Sequence, residues 1–169
     1  GMVQMAAIEF QEVASPAQIA EVARLGEEIW REHYGELLGE AQIAYMLEKY
    51  QSERAVAAQL ADGGYRYWLV FEDGCPCGYC GFVREEDRLF LSKLYLRRAV
   101  RGRGIARLAL EKLKAEAAGL RSIYLTVNKE NSGSIAVYKA LGFREIDAVK
   151  TDIGGGFYMD DYIMELPLC

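Results

Sequence analysis

The sequence predicts an α/β fold, a mixed, mostly antiparallel central sheet of about seven strands with helices on both faces. Three observations carry this. Short alternating or apolar runs recur at strand length, apolar stripes at helical spacing fall between them, and the elements follow in the order β, α, α, three strands, α, β, α, β, β. The chain has 169 residues, of which 51% are hydrophobic and 27% charged, enough to bury one substantial core. Residues 2–169 are read as a single domain, with Gly1 before Met2 as an expression scar.

AAIEFQEV (6–13) alternates apolar and polar residues and reads as the first strand. Ser15-Pro16 opens a helix, the serine as cap and the proline at the first position. Ile19, Val22, Ala23, Gly26, Ile29 and Trp30 recur along it at helical spacing. A second helix carries Ile43, Met46, Leu47 and Tyr50 on one face; Ala55–Leu60 extends it or makes its own turn. Residues 65–74 and 77–87 form a hairpin around the turn residues of EDGCP, and the apolar run 88–98 is a third strand beside them. Ile105, Leu108, Ala109 and Leu113 mark a helix ending near Gly119. SIYLTVN (122–128) is short and apolar enough to be central. Ser132 is the expected cap of a helix with Ile135, Tyr138 and Leu141 on its inner face, stopped by Gly142. Strands 143–150 and 157–166 close the chain around Gly154-Gly155-Gly156.

Charge is unevenly spread. The net charge is −5 and the pI about 5.1, which argues against nucleic-acid binding. Residues 97–121 hold eight bases and two acids, a local +6, whereas residues 1–87 hold sixteen acids and six bases, or −10. A basic island in an acidic body suggests an anion site beside a surface that attracts cations, although charged helix faces are more often merely solvated. No apolar run reaches membrane length and no signal peptide opens the chain, so a cytoplasmic protein is expected. Cys75, Cys77 and Cys80 lie close together, but the single histidine, His33, is distant, and Cys77 and Cys80 would face opposite sides of a strand. Free thiols and no metal are expected, Cys169 included.

The chemistry concentrates in residues 94–106, which read strand, glycine-rich turn, helix. Gly102 and Gly104 let backbone approach a ligand closely, and a helix starting there offers unsatisfied amides and a dipole that suit phosphate. Arg101 and Arg103 add charge and forked donors. No Gly-Lys-Ser/Thr follows, and Arg107 stands where a dinucleotide fingerprint needs its third glycine.

Arg101-Gly102-Arg103-Gly104-Ile105-Ala106 resembles the (Q/R)-x-x-G-x-(G/A) signature of the GNAT family of N-acetyltransferases. Asn131, Tyr138 and Gly142-Phe143 fall where that family has its N…Y…GF motif, although Ser134 replaces a usual alanine. The order of elements matches the family's fold from about residue 5 to 166. The C-terminal GGGFYMDDYIMEL and the FLSKLYL strand are similar to those of a subgroup of bacterial polyamine acetyltransferases.

The resemblance implies a bulge that splays the fourth strand from the fifth, with acetyl-CoA in the cleft. Its pantetheine arm would pair with the backbone of Leu94, Tyr95 and Leu96. Its pyrophosphate would sit on the amides of Gly102, Arg103, Gly104, Ile105, Ala106 and Arg107, beside Arg101. It also implies direct attack of an amine on the thioester, so Cys80 is not expected as a nucleophile. Tyr138 matches the tyrosine that protonates the leaving thiolate; on the residues alone it is equally a core aromatic. Asn131 either meets the pantetheine or caps the helix.

The base is not given by any motif: His33, Glu28, Glu36, Asp160, Asp161 and a water chain are candidates. Trp30, His33, Tyr34, Tyr45, Met46 and Tyr79 could line the acceptor pocket or belong to the core. Because adjacent strand residues face opposite ways, only one of Asp160 and Asp161 can look into the site. The expected activity is acetyl transfer from acetyl-CoA to a small cationic amine, a polyamine fitting the acidic body best. The alternatives are a protein N-terminal acetyltransferase and a non-catalytic acyl-CoA sensor. A homodimer is compatible with this reading.

Overall fold

The computed structural model describes residues 7–168. The reading of Gly1 as a scar, the start of the first strand at Ala6 and the Cys169 thiol lie outside these residues. Seven strands form one sheet in the order β1-β2-β3-β4-β5-β7-β6. They are β1 (Ile8–Glu12), β2 (Tyr65–Glu72), β3 (Cys75–Arg84), β4 (Arg88–Leu96), β5 (Ser122–Asn128), β6 (Arg144–Gly154) and β7 (Phe157–Pro167). All neighbours are antiparallel except β4 and β5.

Helices α1 (Pro16–Tyr34), α2 (Glu40–Met46) and α3 (Glu53–Asp62) cover one face. Helices α4 (Ile105–Glu116) and α5 (Ser132–Ala140) cover the other. Ser15 starts α1 with a reciprocal cap: its Oγ accepts from Gln18 N at 3.2 Å, and Gln18 Oε1 accepts from Ser15 N at 3.0 Å. Val22, Leu25 and Ile29 then bury fully against Tyr67, Leu69 and Tyr79 of the sheet, each worth roughly 1.5–3 kcal/mol of transfer free energy. On the far face Leu110 and Leu113 pack on Leu89, Leu91 and Ile123. No helix among the described residues is long and apolar enough to cross a membrane.

Four local readings are corrected. Residues 53–62 form a separate helix, divided from α2 by a π-helical turn at Leu47–Gln51 and started by the Ser52 cap. The cap of α5 is Asn131, whose Oδ1 accepts from Ser134 N at 3.2 Å, not Ser132. β6 runs on to Gly154 because β7 continues to pair with it. Cys77 and Cys80 face the same side, because a bulge in β3 sets Val70 opposite Gly78 and Phe71 opposite Pro76, leaving Cys77 as the extra residue. Both are free and buried among apolar side chains, and burial pushes the Cys77 thiol up to about 11.

The feature that positions the site lies in β4. Gly81 pairs with Lys93 and Phe82 with Leu91, so Ser92 is an extra residue that bends the strand. β4 pairs with β5 only at Arg88–Ser122, Leu89–Ile123 and Phe90–Tyr124. From the bulge onward the two parallel strands part.

Candidate active site

Beyond the bulge the side chains of β4 alternate between two cavities on opposite faces of the sheet. Leu94 and Leu96 line a cavity of about 590 Å³ on the α4–α5 face. Lys93 and Tyr95 line one of about 290 Å³ on the α1–α3 face. The sequence-predicted residues therefore divide: Tyr95 presents its side chain to the second cavity, while its neighbours face the first.

The larger cavity holds the glycine loop. Gly102 and Gly104 have φ of 78° and 81°, a region that costs other residues about 1–2 kcal/mol. A Cβ at either position would meet nothing within 4 Å, so the backbone lies open. Gly104 is the N-cap of α4, and no side chain caps it. The first-turn amides, including those of Ile105, Ala106 and Arg107, have no intrahelical partner. Arg101, Gly102, Gly104, Ile105, Ala106 and Arg107 all line this cavity. Arg103 does not: its guanidinium pairs with Glu72 Oε1 at 2.6 Å. Arg101 Nε donates to Leu96 O at 3.3 Å, which folds the side chain toward the end of β4. Sequence reasoning missed Arg98, which lines the same cavity and whose Nη2 donates to Glu32 O at 2.9 Å.

Asn131 and Tyr138 complete the far wall. Of its two sequence readings the structure shows the cap: the Asn131 side chain caps α5, and the residue also lines the cavity. The Tyr138 ring packs edge-on against Phe143, with centroids 5.6 Å apart. Burial, and the nearby Tyr34 and Cys80, push its phenol well above the ordinary value, so it keeps its proton. His33 lies on this side too, and burial together with Arg101 and Arg98 holds it down at about 4. It is neutral and weakly basic at pH 7.

The smaller cavity contains Trp30, Tyr34 and Met46 from the predicted acceptor set. Tyr45 and Tyr79 serve structure instead. The Tyr45 hydroxyl donates to Ile153 O at 2.7 Å, and that of Tyr79 donates to Gln51 Oε1 at 2.6 Å. Of the base candidates, Glu28 is held by Arg97 at 2.7 Å, Glu36 is exposed, and Asp160 pairs with Lys129 at 3.0 Å. Asp161 is the carboxylate of the adjacent pair that faces the cavity. It is 5% exposed, and its Oδ1 has no hydrogen-bond partner. Burial, and then Asp160, push its carboxyl up to about 6.

Lys93 was not anticipated. It is 4% exposed and gives its three protons to Tyr50 O, Gln59 Oε1 and the Tyr67 hydroxyl. Burial lowers it to about 7. The signal was present in the sequence, a lysine within the apolar strand FLSKLYL, but only the bulge at Ser92 decides that it points inward.

Tyr34 and Tyr95, both in the lining of the smaller cavity, reach residues that line the larger one. Tyr34 neighbours Tyr95, Asn131 and Asp161, and Tyr95 in turn neighbours Tyr138. A loop of free amides, a retained phenol and a buried, unpartnered carboxylate are thus gathered around one gap in a sheet.

The profile of the acetyltransferase (GNAT) family matches residues 22–143. An uncharacterized N-acetyltransferase of Mycobacterium tuberculosis is 32% identical over 125 residues, 72% of this chain and 80% of that protein. The chain belongs to the GNAT family and is an N-acetyltransferase. Among solved structures, the PaiA N-acetyltransferase of Thermoplasma acidophilum, in complex with coenzyme A, superposes with a TM-score of 0.79 at 20% identity, covering 96% of this chain and 99% of that one. YncA of Salmonella typhimurium, an acetyltransferase solved with acetyl-CoA, gives 0.62 at 22% identity over 96% and 95%. At these identities the superpositions speak for the fold.

Proposed function

We propose that the protein transfers acetyl from acetyl-CoA directly to the primary amine of a small cationic acceptor. The observation that carries this is the gap between β4 and β5, with the uncapped loop and Tyr138 on one side and Asp161 on the other. The chain's residues fit acetyl-CoA. The first-turn amides of α4 and Arg98, Arg101 and Arg107 suit its phosphates, and Leu94 and Leu96 present an apolar wall with strand backbone to its arm. Acetyl-CoA supplies the activated thioester.

Asp161 meets the acceptor's ammonium and takes one of its protons, and the freed nitrogen lone pair forms the new C–N bond. The C–S bond breaks as Tyr138 gives its proton to the departing thiolate, and the proton that the nitrogen sheds on becoming an amide returns to the phenolate. Burial makes the carboxylate a better base; the phenol's role as donor rests on its place in the cavity wall beside Asn131, since burial makes it a weaker acid.

A polyamine is the second reading, and what favours it is the acidity of residues 1–87. Many of those acids are spent on local pairs, among them Glu21–Arg24, Glu28–Arg97 and Glu12–Arg66. The reading then rests on the long-range field, which salt screens. An N-terminal acetyltransferase would need an extended groove for its peptide. The deciding measurement is release of free CoA thiol in a single turnover on adding an amine to the protein loaded with acetyl-CoA. Tight acetyl-CoA binding with no thiol release across a broad amine panel would favour the sensor instead.

A further inference from the structure

The charge inventory of the smaller cavity defines the acceptor more narrowly. Among the described residues two ionisable acid–base side chains of formal charge line it, Asp161 and Lys93. Lys93 is fully committed: an ammonium has three donors, and Tyr50 O, Gln59 Oε1 and the Tyr67 hydroxyl take all three. Asp161 is the opposite case, since its Oδ1 is buried with no partner. What the cavity offers a ligand is therefore one unpartnered carboxylate oxygen and no free Lys93 donor. The rest of the lining mixes polar side chains such as Gln42, Asn128 and Thr151 with aliphatic ones and with the rings of Trp30, Tyr34, Tyr50, Tyr65, Phe90 and Tyr95, whose faces accept a cation and whose bodies accept apolar surface. The volume of about 290 Å³ is at the lower edge of small-molecule sites.

We propose that the acceptor is a primary monoamine on an apolar or aromatic body, carrying one cationic centre and no carboxylate. A free amino acid would bring its carboxylate to a wall where all three Lys93 protons are already taken, and a polyamine would bring a second cation to a wall with one acid; a buried charge without hydrogen-bond partners is strongly disfavoured. The inference rests on the acetyltransferase reading and says which amine that site takes. The raised carboxyl of Asp161 agrees with a site that waits for a cation.

The test compares phenethylamine, L-phenylalanine and spermidine as acceptors by thiol release, with acetyl-CoA binding measured separately by calorimetry. Phenethylamine and phenylalanine share the amine and the ring and differ by the carboxylate. The expected result is a kcat/KM for phenethylamine at least 100-fold above phenylalanine and at least tenfold above spermidine. Adding a second acid to the wall, as Thr126→Asp, should raise spermidine relative to phenethylamine at least tenfold; Thr126 is exposed on β5 and lines the cavity. If Thr126→Asp does not fold by circular dichroism, Ser92→Asp serves the same purpose. Spermidine or phenylalanine matching phenethylamine overturns the proposal, as does acetyl-CoA binding without phenethylamine turnover, or an unchanged ratio in a folded acid variant. Failure to bind acetyl-CoA would instead overturn the acetyltransferase reading beneath it.

Discussion

Replacing Asp161 by asparagine should leave the protein more stable and almost inactive. The carboxyl is 5% exposed and unpartnered at Oδ1, and burial raises it from 3.8 to about 6. Each pH unit corresponds to about 1.4 kcal/mol, so keeping this group ionised in the fold costs about 3 kcal/mol at neutral pH. A raised acid carries that cost above its folded value and loses it as the pH falls below its unfolded one. Wild type should therefore gain stability between about pH 6 and pH 4 from this group, and Asp161→Asn should not. The amide brings an unpaired N–H of its own, costing about 1–3 kcal/mol, which leaves a net gain of about 0–2 kcal/mol at pH 7. For a domain of this size that is a rise in Tm of up to about 8 °C. Loss of a general base lowers turnover by about 10²–10⁴-fold, and the acid limb of kcat/KM near pH 6 should vanish with it. The assays are thermal unfolding at pH 4, 5, 6 and 7 and thiol release over the same range. A variant that melts earlier than wild type at pH 7, or keeps its acid limb, would refute the reasoning, since Asp161 would then be structural or a bystander.

Tyr138→Phe removes the hydroxyl and keeps the ring on Phe143; kcat should fall about 10²–10⁴-fold with acetyl-CoA affinity by calorimetry within about twofold, the size of a marginal 0.4 kcal/mol change. Gly104→Asp puts a carboxylate on the open loop at φ 81°, where it caps the very amides that would hold phosphate; acetyl-CoA affinity should fall at least about tenfold, a loss of 1.4 kcal/mol or more, while circular dichroism is unchanged. His33→Gln should leave the acid limb near pH 6 in place, because His33 sits at about 4 on the cofactor side; a limb that disappears with His33 would transfer the base role to it.

Much of the site's cofactor half was legible in the chain because it is local. Residues 101–107 are contiguous, and a glycine pair at a strand–helix junction dictates an open, amide-rich turn whatever surrounds it. Asn131 and Tyr138 lie one helix apart on α5, and their spacing alone puts them near one face. The acceptor half was not legible in the same way. Its walls come from α1, α2, the π-helical turn, α3, β2, β4, β5, β6 and β7, and no residue type marks a position as lining until those elements meet. Tyr45 and Tyr79 looked as suitable as Tyr34 and proved to hold structure. Arg103 resembled Arg101 in sequence and differs only because Glu72 stands across from it.

By itself the sequence determined the order of the elements, a mixed sheet with helices packed on it and the phosphate-suited loop, because periodicity and turn chemistry act over a few residues; the candidacy of Tyr138 came from the family motif that its surroundings resemble. The tertiary structure alone decided the rest. One extra residue at Ser92 parts β4 from β5 and turns Lys93 into the interior. Strand alternation then buries Asp161 in the cavity and leaves Asp160 paired with Lys129 at the surface. Desolvation depends on what packs against a group from distant parts of the chain. So which carboxylate is buried without a partner, and which acids merely pair with neighbouring bases, is settled only when the sheet has closed around them.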